Sequence, residues 1–142
     1  MKHLLAIAIS AIIYCEFIAD YAQLFVNCKW PKLDEQDEKE TATQTALRAM
    51  ILSDTHLLGP INGHWLDKFY REWHMHRAFQ AAMNIFQPEV VFVLGDLFDE
   101  GDLVGHTDFE IFVQRFRRQF RTPVDVPLIS AVGNHDVGFH YK

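Results

Sequence analysis

The chain has 142 residues, a formal charge of −6 and 23% charged residues, which suits one modest globular domain with some additional sequence. The acidic balance argues against nucleic acid as a partner, because such an interface wants a basic face. Only Cys15 and Cys28 are present, which excludes a disulfide-built fold and leaves the redox compartment open.

The stretch from Leu4 to Val26 is mostly apolar. A helix over it is long enough to cross a hydrocarbon core of ~30 Å at ~1.5 Å per residue. Glu16 and Asp20 interrupt it one turn apart, and an acid costs ~2.5–3.5 kcal/mol at mid-bilayer. Asp20 lies close to the far interface, which lessens its cost. Residues 1–26 therefore read as a transmembrane anchor. A cleaved signal peptide is the rival: Lys2, an apolar core from Leu4 to Ile13, then polar residues, although no small-x-small cleavage site follows. A buried helix of a soluble protein is a third reading. Lys2 and the amino terminus face Lys29 and Lys32 across the segment, so charge bias does not orient it. Residues 27–46 read as a solvated linker, since Trp30-Pro31 breaks a helix and Asp34 to Glu40 is a charge run without an apolar period.

From Leu47 onward the pattern is that of a folded domain, 47–142. Ala49 to Leu52, Val90 to Leu94 and Leu128 to Val132 are continuous apolar runs, as in parallel strands covered on both faces. Helical periods fill the gaps. Phe69, Trp73, His76, Phe79, Met83 and Phe86 form one stripe, stopped by Pro88. Phe109, Phe112, Val113, Phe116 and Phe120 form another, read as core. Thr107 and Glu110 have the spacing of a capping box at its start. Arg117, Arg118 and Arg121 crowd its end, where the helix dipole favours cations. The order βαβαβ predicts an α/β fold, and right-handed crossovers bring the three strand tips to one edge.

A polar cluster follows each strand: Ser53-Asp54-Thr55-His56, Gly95-Asp96-Leu97-Phe98-Asp99 and Gly133-Asn134-His135-Asp136. Ligands bind at the carboxyl ends of such strands, and oxygen and imidazole donors gathered there predict a metal site. Asp54 and His56 are two apart, a spacing that points both side chains the same way on a strand, so they can chelate one cation. Asp96 offers two carboxylate oxygens and can bridge two cations. Asn134 adds a neutral oxygen, and His135 can reach a substrate. Two metals ~3.5–4 Å apart clamp a phosphoryl group for in-line attack. Mixed oxygen and nitrogen ligation suits Mn, Fe or Zn better than Ca, with Mn first. Each cluster alone is equally an ordinary turn; three in order at successive strand ends supply the context that a motif needs. His74 and His76, two apart on a helix, face different ways and read as structural. His64, His106 and His140 lie in loops, the last two as candidates for the cleft.

Asp54-x-His56, Gly95-Asp96-x-x-Asp99 and Gly133-Asn134-His135-Asp136 resemble the first three signatures of the calcineurin-like metallophosphoesterase superfamily. The likeness extends through Ser53 to Gly59, His64 to Lys68, Arg71 to Trp73, Gln87 to Phe92, Gly133 to Tyr141, and the Cys-Glu-Phe and Cys-x-Trp-Pro patches at the N-terminus. In these segments the chain looks like a membrane-bound, GPI-remodelling branch of that superfamily. The resemblance implies two divalent metal ions, with Asp54 and His56 on the first, Asp96 bridging and Asn134 on the second. It implies that His135 stabilises or protonates the leaving alkoxide, and that Asp99 and Asp136 stand behind the ligands and orient His135 and its loop. The implied reaction removes ethanolamine phosphate from mannose of GPI-anchor intermediates, supporting ER-to-Golgi transport of GPI-anchored proteins. The implied setting is the membrane of the early secretory pathway (ER exit sites, ER-Golgi intermediate compartment, Golgi), with the catalytic part lumenal. The family's later His and Gly-His-x-His motif do not occur in the 142 residues. The chain is therefore read as the N-terminal half of a calcineurin-like β-sandwich, expected to be inactive by itself. Two alternatives remain: a membrane-bound interaction module, and a metallophosphoesterase of another diester, such as a nucleotide or lipid.

Overall fold

The computed structural model describes residues 1–30, 47–61 and 63–138. The predicted linker lies largely outside the described residues, as does His140. The chain divides into two compact units, one from Met1–Ala46 with Arg77–Gln87, the other from Leu47–His76 with Pro88–Lys142.

In the first unit, α1 (Lys2–Ile13) passes through a π-helical turn (Tyr14–Ile18) into α2 (Ala19–Asn27). The 26-residue stretch Lys2–Asn27 is long and apolar enough to cross a membrane, a test that a signal sequence also meets. None of its residues is buried. The two acids that interrupt the apolar run lie in or beside the π turn. Asp20 pairs with Arg77 at 3.9 Å, and the Arg77 guanidinium lies 4.7 Å from the centre of the Phe17 ring. Asn84 donates to the Tyr21 hydroxyl at 3.3 Å, and the Trp30 indole N–H donates to the Phe86 carbonyl at 3.1 Å. Arg77, Asn84 and Phe86 all belong to the second half of α3 (Trp65–Phe86). That helix ends where the chain must stop it: Gln87 turns left-handed at φ 46°, and Pro88 follows. The predicted stripe is buried at Phe79 and Met83, whereas Phe69 and Trp73 are exposed.

The second unit is built on three parallel strands in the order β1 (Ala49–Leu52), β2 (Val90–Leu94), β3 (Leu128–Ala131). Ala49 is in register with Val90, and Val91 with Leu128. Parallel pairing in this register carries all three strand tips to one edge, as expected. α4 (His106–Gln119) returns between β2 and β3. Its Phe112 and Phe116 are buried, with Phe120 just beyond its end. Phe98, 1% exposed, meets the rings of Phe109, Phe112 and Phe116 at 5.4, 5.6 and 6.1 Å. The phenylalanine stripe is core. His76 donates its Nδ1 proton to the Gln119 carbonyl at 2.8 Å, and Arg115 reaches Glu72 at 2.8 Å. Both contacts hold α4 to α3, at Glu72 and His76.

Two local expectations are corrected. Only β2 is buried along most of its length; Ile129, Ser130 and Ala131 of β3 are exposed. α4 turns its stripe onto Phe98, leaving a groove of about 490 Å³ between itself and β3. Among the described residues the strands form one sheet of three. The capping box does not form either. α4 begins at His106 with Gly105 as its N-cap and no side-chain cap, and Glu110 pairs instead with His106 at 3.6 Å.

Candidate metal centre

The predicted residues converge, but not by strand alternation. β1 ends at Leu52, so Asp54 and His56 sit in the loop beyond it. Both have left-handed backbone, φ 55° and 41°, as does Asp96 at 48°. Among the described residues only Gln87 is a further non-glycine case. Asp and His enter this region more readily than most residues, yet each instance costs of order 1–3 kcal/mol and persists only where its surroundings dictate it.

Here the surroundings are a second loop. Asp54, His56 and Leu57 donate their amides to the carbonyls of Gly95, Asp96 and Leu97 at 3.3, 3.0 and 2.9 Å, and Asp99 N–H returns to Leu57 at 3.1 Å. Leu57 and Phe98 form a parallel bridge. The pairing of β1 with β2 thus continues past the strand ends, and the left-handed residues swing their side chains to one place.

His56 is the centre of that place. Its Nε2 lies 4.0 Å from Asp54 Oδ1 and 4.0 Å from Asp96 Oδ2. Its Nδ1 lies 3.3 Å from Asp99 Oδ1. Two ligand groups result, Asp54–His56–Asp96 and His56–Asp99–His135, each with its donor atoms within 4.8 Å of one another. Asp99 therefore turns its carboxylate to His56, and it is its main-chain oxygen that faces His135. Asp54 is the outermost member, with Ser53 Oγ donating to its Oδ2.

The loop after β3 forms one helical turn, α5 (Asn134–Val137). Asn134 is exposed at its start and lines a hollow with Asp96. His135 N–H donates to Asp96 Oδ1 at 3.0 Å. His135 Nδ1 is 3.2 Å from the Asp99 carbonyl; a carbonyl only accepts, so Nδ1 carries the proton and Nε2 is left for other work. The rings of His135 and His56 meet edge to face at 4.9 Å. Asp136, 2% exposed, accepts Phe98 N–H at 2.9 Å and Gly133 N–H at 2.7 Å. It holds the loop, while Asp99 orients the ring. Gly133 is needed because a Cβ there would overlap the Asp96 amide and carboxylate.

The donor set fits divalent cations. Among the described residues no Lys or Arg pairs with Asp54, Asp96 or Asp99; the ion pairs that reach them all come from His56. Three carboxylates gathered on one imidazole without a cationic partner are a charge arrangement that a metal ion balances. Among the described residues the other histidines stay apart. His106, with an 88% exposed side chain, pairs with Glu110. His64 accepts from Leu66 N–H at 3.3 Å, and His74 packs against Tyr70. Spacing did not point to Glu100 or Arg115, whose contacts come from other elements.

Comparison with known proteins agrees with this geometry. Residues 47–142 match the family model described as calcineurin-like phosphoesterase. The chain is 57% identical over 136 residues to "Metallophosphoesterase 1 homolog" of Drosophila melanogaster, covering 96% of this chain and 35% of that protein. It is 51% identical over 134 residues to "Metallophosphoesterase 1" of Danio rerio, covering 94% and 34%. It is 48% identical over 135 residues to the protein of that name from Gallus gallus, again covering 94% and 34%. The chain thus spans about a third of the length of these curated relatives. With its three strand-end clusters meeting on His56, the chain belongs to the calcineurin-like phosphoesterase family.

Proposed function

We propose that this chain carries the first part of the catalytic site of a membrane-bound, metal-dependent phosphodiesterase. The proposed reaction removes ethanolamine phosphate from mannose of GPI-anchor intermediates, in membranes of the early secretory pathway. The observation that carries the reading is the convergence of Asp54, His56 and Asp96 within 4.8 Å, with His135 bonded to the same Asp96. The name shared by the relatives supports a metal-dependent phosphoesterase. The substrate rests on the sequence likeness of the strand-end segments, and the membrane setting on that likeness and the apolar Lys2–Asn27 stretch.

Asp54, His56, Asp96 and Asn134 would hold two divalent cations, Mn first with Fe or Zn as alternatives. Such ions supply Lewis acidity toward phosphoryl oxygens and neutralise charge built up during displacement. The chain's own residues supply the rest. Asp96 holds His135 by its main chain. Asp99 fixes the His135 ring through Nδ1–H, so that Nε2, when the ring is doubly protonated, hands its proton to the departing mannose oxygen and leaves the neutral Nδ1–H imidazole. The fixed backbone of the two loops keeps these groups in place before substrate arrives.

The test uses the full-length protein in lipid nanodiscs with Mn, given a GPI glycan bearing ethanolamine phosphate on mannose. A nucleotide diester and a glycerophosphodiester lipid serve as competing substrates. Release of ethanolamine phosphate with multiple turnovers is expected. Faster turnover of either competitor would replace the substrate assignment, and no turnover of any diester would sink the enzymatic reading.

A further inference from the structure

Glu100 is fully buried at 0% exposure, and neither the ligand groups nor His135 explains it. Its Oε2 accepts Ile61 N–H at 2.9 Å. Its carboxylate occupies the space beside Gly59, where a Cβ would overlap it. A second tie reaches the same segment from α4: the Arg115 guanidinium donates to the Leu58 carbonyl. Arg115 is itself held by Glu72 at 2.8 Å and lies 5.5 Å from the centre of the Phe112 ring. The segment from Leu57 to Ile61, directly after His56, is thus fastened by one buried carboxyl group and one guanidinium.

His56 has need of such fastening. Its left-handed backbone holds only where neighbours enforce it. The main-chain ladder with the second loop ends at Leu57, one residue past His56. A ladder frays from its end, and beyond that end Arg115 holds the Leu58 carbonyl and Glu100 the Ile61 amide.

We propose that Glu100, assisted by Arg115, is a positioning residue that keeps the His56 imidazole turned toward Asp54, Asp96 and Asp99. It thereby sets the affinity of the site for a divalent cation. The proposal rests on the metal reading above. A partner behind a metal ligand is typically worth 10–100-fold in metal affinity, and Glu100 belongs in that range although it touches no ligand atom.

The experiment measures Mn affinity of the full-length protein and its Glu100→Ala, Glu100→Gln and Gly59→Ala variants. Amide exchange over His56 to Ile61 is followed in the metal-free protein. Glu100→Ala should raise the Mn Kd by about 10–100-fold. Glu100→Gln, whose amide oxygen still accepts Ile61 N–H, should recover most of that loss. Gly59→Ala should behave like Glu100→Ala, because its methyl displaces the carboxylate while leaving every ligand intact. In both Ala variants exchange should quicken at His56 to Ile61 and not in β2, and saturating Mn should restore kcat on a simple aryl diester at unchanged KM. If Glu100→Ala fails to fold, Gly59→Ala and Glu100→Gln carry the test. Folded Ala variants with wild-type Mn affinity and wild-type exchange would overturn the proposal. Wild-type protein that binds no Mn would overturn the metal reading itself, and exchange alone would then decide whether Glu100 positions His56.

Discussion

The loop after β1 holds its polar side chains through main-chain hydrogen bonds to the loop after β2, four of them between Asp54 and Asp99. The loop after β3 holds its own through one buried carboxylate, Asp136, which takes two amides. The first arrangement is distributed, so that losing one bond leaves the others. The second is concentrated in one residue. Asp96 stands between them, with Oδ2 toward His56 and Oδ1 on the His135 amide. The comparison teaches where substitutions should be tolerated and where they should not.

The largest effect should come from Asp96, because its removal touches both loops. Asp96→Ala should cost far more than the roughly 100-fold in metal affinity typical of a residue behind the ligands, and should abolish turnover. Metal analysis of the full-length protein checks this, and full occupancy would refute the bridging role.

His135 separates chemistry from binding. His135→Ala should lower kcat by about 10²–10⁴, the usual worth of a positioned proton donor, with metal content nearly intact. Its nearness to His56 and Asp99 makes the outcome informative. Loss of one ion with turnover retained would make His135 a ligand instead of an acid.

Asp136 tests the concentrated loop. Asp136→Ala leaves the Phe98 and Gly133 amides without their acceptor. Bonds to a charged group are worth about 1.5–3 kcal/mol each, so a loss of roughly 3 kcal/mol or more is expected, read from the urea midpoint at constant slope. A loss below 1 kcal/mol would show that α5 stands without it.

Much of this was legible in the sequence. Continuous apolar runs marked all three strands, although only β2 is covered along most of its length. The α3 and α4 periods and Pro88 marked the helices. The place of Asp54, His56, Asp96 and His135 after strands marked them as residues that come together at one edge, as they do. What failed did so for local reasons. The two-apart rule for Asp54 and His56 presumed extended backbone, and the residues turn left-handed. Thr107 and Glu110 match a capping pattern, but Gly105 begins the helix, so Thr107 is already inside it. β3 is apolar apart from Ser130, and nothing in its letters shows that α4 packs elsewhere. Asp99 facing His56 is a contact between loops, which spacing along one chain does not encode.

The smallest effect should come from the distributed loop. Thr55 is buried, and its Oγ1 donates to the Leu97 carbonyl at 3.1 Å. That carbonyl also accepts Leu57 N–H at 2.9 Å, so it keeps a donor when the hydroxyl is removed. Thr55→Val preserves the shape of the side chain and removes one neutral bond. It should cost about 1 kcal/mol and leave Mn affinity unchanged, because the amides of Asp54, His56 and Leu57 still bind the second loop. Urea unfolding and Mn titration of the same sample give both numbers. If Thr55→Val costs as much as Asp136→Ala, or weakens the metal tenfold, the β1 loop also hangs on a single side chain and the contrast between the two loops fails.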